Sequence, residues 1–212
     1  MHLLIPAAGS GRRMGSQRNK LLLTLLEKPL LSWTLAAAEA SQQISWIGIM
    51  GQPEDFPDFK AILGDLALLK PVELIQGGAT RQESVYNGLQ ALPPNADRVL
   101  IHDGARCLAT PELFDRSSAA LLSCPGLIVA VPVKDTIKVV DESRIVRDTP
   151  DRSHLWAAQT PQGLVTDDAA LFEKCGLPVQ IVEGEETNLK VTTPVDLALA
   201  EFILRQRTDK SK

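Results

Sequence analysis

Cysteine is scarce in this chain of 212 residues, and the three present are scattered at Cys107, Cys124 and Cys175. Such an odd, widely spaced set makes neither a disulfide framework nor a zinc-ligand spacing. A reducing compartment is therefore the expectation. Long apolar runs are also missing, and nothing approaches the roughly 20 residues a transmembrane helix needs. There is no basic excess: the formal net charge is −4 and the pI about 5.4. That balance argues against a dedicated nucleic-acid binder, so any bound anion must be met by local arginines and lysines. No signal peptide is expected, because Leu3, Leu4 and Ile5 already form a core-like strand; the expected location is cytoplasmic. Internal repeats and low-complexity tracts are absent. What remains is an ordinary globular composition, 44% hydrophobic and 23% charged, long enough for one sizeable α/β domain over 1–212.

Short apolar runs alternate with helical patterns. Strands are predicted at Leu3–Pro6, Trp46–Met50, Val72–Ile75, Val99–His102 and Leu127–Val131. Helices are predicted near Leu31–Ala40, Phe56–Leu66, Arg81–Leu92 and Pro111–Leu122, with a last one at Pro194–Arg205. This alternation implies βαβ units and a mainly parallel sheet. Thr110-Pro111 and Thr193-Pro194 each place a capping residue before a proline at the first helical position. Residues 134–154 differ. Alternating segments Thr136–Val140 and Arg144–Arg147 flank the polar turn Asp141-Glu142-Ser143, a β-hairpin pattern. An isolated hairpin is marginal in water, so a partner subunit is expected to cover it; the alternative is a solvated loop.

Chemistry-bearing residues gather at the predicted strand ends, where ligands of open parallel sheets bind. The first strand runs into Pro6-Ala7-Ala8-Gly9-Ser10-Gly11, followed by Arg12, Arg13 and, further on, Lys20. Small residues let phosphate approach backbone N–H groups closely, and the basic side chains add charge. A strand-to-loop turn with solvated arginines is the competing reading. The dinucleotide fingerprint is excluded because Met14 stands where its third glycine belongs, and the Walker ending is absent. Gly77-Gly78-Ala79-Thr80-Arg81 follows the third strand, and the glycine pair would allow close approach of a flat ligand such as a nucleobase. His102-Asp103-Gly104-Ala105-Arg106 follows the fourth strand, with Asp103 able to hold a metal or a sugar hydroxyl or simply to cap a helix. Val133-Lys134-Asp135-Thr136 follows the fifth. Arg152 precedes a strand-like Leu155–Ala158, and Thr160-Pro161-Gln162 is expected to turn.

Taken in order, these motifs resemble the 2-C-methyl-D-erythritol 4-phosphate cytidylyltransferases of the non-mevalonate isoprenoid pathway. PAAGSGRRM with Lys20, the Gly77–Leu89 segment, HDGAR at 102–106, PVKDTIK at 132–138, AQTPQ at 158–162, TDDA at 166–169 and VEGEETNLKVTTPVDLALAE at 182–201 carry the resemblance. It implies a Rossmann-like, doubly wound, mostly parallel α/β sheet of the nucleotide-diphospho-sugar transferase type, with 134–154 as a protruding β-hairpin arm of a homodimer. It also implies transfer of a cytidylyl group from CTP to a polyol phosphate. Arg13, Lys20 and Lys190 would hold the triphosphate and its developing charge. Pro6, Ala7, Ala8, Gly9, Gly11, Gly78, Arg81, Ser84, Asp103 and Gly104 would line the nucleotide pocket. Asp103, Arg106, Thr136, Arg152, Thr166 and Lys190 would surround methylerythritol phosphate, with Thr136 and Arg152 serving the partner's site. Mg²⁺ would be held mainly by the triphosphate, with few protein ligands.

The sequence departs from the family's pattern in three places. Asn19-Lys20-Leu21 stands where Pro-Lys-Gln is frequent, and Cys107 where a proline usually follows the HDxAR segment. Between Gln162 and Thr166 only Gly163-Leu164-Val165 intervene, where the family carries a whole helix. A true deletion and a stretch missing from the given sequence both fit. Rival readings are a cytidylyltransferase for ribitol 5-phosphate, a sugar-phosphate uridylyl- or guanylyltransferase, and a non-catalytic nucleotide-binding dimer.

Overall fold

The computed structural model describes residues 1–9, 19–165 and 178–209. Arg13, Gly11 and Thr166 lie outside the described residues. The elements in chain order are β1 (His2–Pro6), β2 (Thr24–Leu25), β3 (Lys28–Pro29), α1 (Leu30–Ala40), β4 (Trp46–Gly51), α2 (Phe56–Leu66), β5 (Val72–Gln76) and α3 (Arg81–Gln90). They continue with β6 (Arg98–Ile101), α4 (Pro111–Ala120), β7 (Gly126–Pro132), β8 (Val139–Val140), β9 (Val146–Asp148), β10 (Trp156–Val165), β11 (Val179–Glu183) and α5 (Pro194–Asp209).

Among the described residues, seven strands form one sheet in the order β11-β7-β10-β6-β1-β4-β5. All neighbours are parallel except β10, which runs antiparallel to both β6 and β7. The alternation of side chains along a strand sorts the core into two layers. Leu3 and Ile5 of β1 face α1, α2 and α4, joining Leu31, Leu35, Phe59, Leu113 and Phe114. Leu4 faces the other way and packs with Met50, Val99, Ile101 and Leu164, against which Val85 and Leu89 of α3 lie. α3 sits close to the sheet because Gly88 has no side chain: a Cβ there would meet the Met50 sulfur at 2.8 Å. A third cluster joins the β2–β3 ribbon to α5 through Leu25, Leu30, Val191, Ala200 and Leu204.

The helix starts follow the sequence. Thr110 caps α4 by accepting from Leu113 N, with Pro111 next in line. Thr80 caps α3 by accepting from Glu83 N, and Glu83 accepts in turn from Ala79 N. At α5, Thr193 Oγ1 accepts from Asp196 N while Asp196 accepts from the N–H groups of Thr192 and Thr193. Two expectations need correction. The hairpin strands are shorter than predicted, only β8 and β9. Thr160-Pro161-Gln162 is not a turn but part of β10, where the register against β7 shifts between Ala158 and Gln162. Proline lacks an N–H and fits a sheet interior only at such an irregularity.

Candidate active site

From the adjacent strands β1 and β6 the chain proceeds toward opposite edges of the sheet, to β4 and to β7, which opens a crevice at the carboxyl ends of these strands. A cleft of about 860 Å³ lies there. Its walls are Pro6–Gly9 after β1, Gly78–Arg81 and Ser84 after β5, and Asp103–Ala105 after β6, with Lys20 and Lys190 closing it. Eleven sequence-predicted residues therefore share one cavity: Pro6, Ala7, Ala8, Gly9, Lys20, Gly78, Arg81, Ser84, Asp103, Gly104 and Lys190. Gly77 allows a close approach within the protein: a Cβ there would come 2.7 Å from the Ala8 Cβ. The β5–α3 turn is thereby pressed against the loop after β1. Ser84 Oγ accepts from Gly78 N at 3.0 Å and donates to Thr80 O at 2.9 Å, fixing that turn.

Charge converges on Asp103. Its side chain is 12% exposed. Lys190 Nζ lies 2.6 Å from Oδ2, and Arg81 Nη2 lies 3.4 Å from Oδ1. Burial pushes the Asp103 carboxyl upward, but the Lys190 hydrogen bond and charge, with Arg81, outweigh it and hold the pKa below the ordinary value. Lys20 Nζ donates to Val191 O at 3.2 Å, so the two lysines, from opposite ends of the chain, approach the same wall.

A buried polar web holds these groups in place. His102 is fully buried, and burial pushes its pKa down to about 4, so the ring is neutral at pH 7. Its Nε2 faces Arg106 O at 3.2 Å. A carbonyl only accepts, so Nε2 carries the proton and Nδ1 accepts from Thr160 Oγ1 at 3.1 Å. Thr160 Oγ1 accepts in turn from Asp103 N at 3.0 Å. Asn188, also buried, donates to Gln159 Oε1 and Thr160 O. Arg106 Nη1 donates to Asn188 O at 2.7 Å and Nη2 to Ala158 O at 3.5 Å. Arg106 thus braces β10 against the 184–193 loop and does not line the cleft. Glu185 fastens the same loop: it accepts from Thr110 Oγ1 and pairs with Arg116 and Arg207. Asn19, His102, Thr160, Glu185 and Asn188 were not among the predicted site residues. The polar side chains of Thr160 and Asn188, next to apolar strands, were the signal available for two of them.

Thr136 and Arg152 stand apart. Both are exposed at the root of the arm, and Arg152 Nη1 donates to Lys134 O at 2.7 Å. Lys134 pairs with Glu186. The arm itself exposes Ile137, Val139, Val140, Ile145 and Val146, each more than a third accessible.

The family model for 2-C-methyl-D-erythritol 4-phosphate cytidylyltransferase matches residues 1–165 and 163–206. A relative of that name from Crocosphaera subtropica is 70% identical, covering 98% of this chain and 99% of its own. One from Synechocystis is 66% identical, covering all of both chains. A solved 4-diphosphocytidyl-2C-methyl-D-erythritol synthase from Anaerococcus prevotii superimposes with a TM-score of 0.85 at 30% identity, covering 96% of this chain and 97% of that one. The Crocosphaera alignment spans 225 positions, more than the 212 residues of this chain. The relative therefore carries residues that this chain lacks, and the family match breaks at 163–165, where the sequence pattern places a shortened connection. With that one interruption, the motifs, the cleft and the relatives agree, and the chain belongs to the 2-C-methyl-D-erythritol 4-phosphate cytidylyltransferase family.

Proposed function

We propose that this chain transfers the cytidylyl group of CTP to 2-C-methyl-D-erythritol 4-phosphate, giving 4-diphosphocytidyl-2-C-methylerythritol and pyrophosphate. The observation that carries this reading is Asp103 gripping Lys190 and Arg81 in a cleft that Lys20 also lines. The acceptor is a phosphate monoester with a second pKa of about 6, so it is largely a dianion at neutral pH and needs no general base. One of its oxygens forms a bond to the α-phosphorus of CTP as the bond to the bridging oxygen breaks, and pyrophosphate departs in line with the attack. Two polyanions repel each other, so the protein's work is alignment and neutralisation. Lys20 and Arg13 face the triphosphate in this reading, and Lys190 the attacking phosphate. In this reading Pro6, Ala7, Ala8, Gly9, Gly78 and Ser84 of the cleft wall receive the cytosine and exclude a larger purine, with Asp103 beside the ribose.

Magnesium belongs to the proposal. In this reading the ion is carried mainly on the triphosphate oxygens, with few protein ligands. Asp103 is the carboxylate placed to share it, and when bound it would neutralise phosphate charge. A homodimer belongs to it as well. The apolar arm supports a subunit contact that delivers Thr136 and Arg152 to the partner's cleft. A cytoplasmic location fits the cysteine usage, and no helix of the described residues is long and apolar enough to cross a membrane.

The test is pyrophosphate release from CTP with methylerythritol phosphate and, separately, with ribitol 5-phosphate. We expect turnover with the first and at least about tenfold less with the second, since each misfitted acceptor group costs on the order of 1–3 kcal/mol. Equal rates on the two acceptors would overturn the substrate assignment, and release from neither would overturn the reaction.

A further inference from the structure

Lys20 opens a single 3-10 turn, Lys20–Leu22, and Asn19 stands immediately before it. Asn19 is only 4% exposed, and each polar atom of its side chain is engaged. Its Oδ1 accepts from Leu21 N at 3.0 Å, capping the turn. Its Nδ2 donates to Ala7 O at 2.5 Å and to Asp55 Oδ2 at 2.8 Å. Ala7 is the first residue after β1, already tied to β4 through Ala7 N to Met50 O. Asp55 immediately precedes α2. One amide therefore joins the loop after β1, the start of α2 and the backbone of the lysine turn. The turn closes behind it, with Leu22 N donating to Asn19 O and Leu23 N to Lys20 O, both at 3.1 Å.

From this geometry we infer that Asn19 is a positioning residue for Lys20, fixing the turn so that the ammonium is aimed across the cleft toward the Lys190 wall. Asn19 has a φ of −56° and a ψ of 127°, a conformation that the chain adopts for many residue types, so local preference alone does not hold it. The three side-chain bonds do. Two of them are to elements that themselves build the cleft, so any slack in Asn19 reaches Lys20 before it reaches the sheet. The inference rests on the reading of Lys20 as a charge at the reacting phosphates.

The test is a double-mutant cycle of wild type, Asn19→Ala, Lys20→Ala and the pair, assayed with saturating CTP and methylerythritol phosphate. Asn19→Ala should lower kcat about tenfold or more, because misplacing a catalytic group by about 1 Å costs on that order or beyond. The KM for the polyol phosphate should stay within about twofold. In the Lys20→Ala background, Asn19→Ala should change the rate by less than about twofold, since contacts that act through one group do not add. An equal factor with and without Lys20, or wild-type kcat in Asn19→Ala, overturns the inference. Wild-type turnover in Lys20→Ala instead overturns the reading of Lys20 itself. If Asn19→Ala does not fold, Asn19→Ser keeps the acceptor for Leu21 N, loses the two donated bonds and serves the same cycle. A swap adds an independent arm. Asn19→Asp sets two carboxylates against each other, and Asn19→Asp with Asp55→Asn restores an amide–carboxylate pair. The swap should turn over at least about fivefold faster than Asn19→Asp alone, and equal rates for the two overturn the inference.

Discussion

Replacing Lys190 by Ala tests the charge arrangement of the cleft, and its two consequences can be separated in size. In the native protein Lys190 Nζ sits 2.6 Å from Asp103 Oδ2. Removing one donor of preorganised charge stabilisation typically lowers turnover on the order of 10²-fold or more, equivalent to about 2.7 kcal/mol. The stability cost is smaller. Breaking a fully buried pair costs about 3–5 kcal/mol, but the Lys190 side chain is 35% exposed. Solvent screening brings the figure down to about 1–2 kcal/mol. A domain stabilised by 5–15 kcal/mol, as is usual, stays almost wholly folded at 25 °C after such a loss. The pH dependence gives a second readout. Asp103 has a folded pKa below its unfolded value of about 4. Its contribution is complete above that unfolded value and is lost as pH falls through the lower folded value. Without Lys190, burial is opposed chiefly by Arg81, at 3.4 Å, and the acid limb of the melting profile should flatten. Steady-state pyrophosphate release at 25 °C, with melting curves from pH 3 to pH 7, measures both. Turnover within about threefold of wild type, or an unchanged acid limb, would refute the reasoning.

Thr160→Val keeps the shape and removes the hydroxyl between Asp103 N and His102 Nδ1. Leaving a buried donor unpaired costs about 1–3 kcal/mol, so the melting temperature should fall by several degrees, while Thr160→Ser should recover most of the loss. Val140→Asp combined with Val146→Asp places charge on the exposed arm. On the proposed homodimer, sedimentation should show a dimer for the unaltered chain and a monomer for this variant, and a variant dimer that persists would remove the arm from the interface. Mixing Arg152→Ala with Lys190→Ala should restore part of the activity lost by each alone, if Arg152 acts across subunits; no gain on mixing would place both residues in one subunit's site. An intact mass at the 23.0 kDa of the sequence would establish the short connection between Gln162 and Thr166 as a feature of the protein, whereas a heavier mass would show a missing segment.

Much of the parallel sheet was legible because each strand ends where its chemistry begins. Leu3–Ile5 is buried throughout, and the loop that follows lines the cleft. Thr110-Pro111 announced α4 because a cap and a fixed φ are local properties. β10 was not legible in the same way. Its outer half alternates poorly, and Pro161 argues against a central strand unless a bulge is known to lie there. The β2–β3 ribbon has two-residue strands, too short for any periodicity. The polar web was hidden for another reason. Asn19, Thr160, Glu185 and Asn188 are ordinary turn or surface residue types, and only the fold brings them to Ala7, His102, Arg207 and Gln159. The placement of Lys20 near Val191 is likewise a product of tertiary structure, joining segments no sequence window spans.

The antiparallel β10 also sets an order on synthesis. β6 and β7 are made early but are not partners; each presents an edge to a gap that β10 fills. A nascent chain that has reached the arm therefore lacks the partners of one edge of β6 and of both edges of β7, and such edges template pairing between chains. The segment that fills the gap follows directly after the arm, and the 184–193 loop with Lys190 follows later still. The nucleotide walls can assemble while the ribosome is still extending the chain, but Lys190 joins them only once the gap has been closed and almost the whole polypeptide has been made.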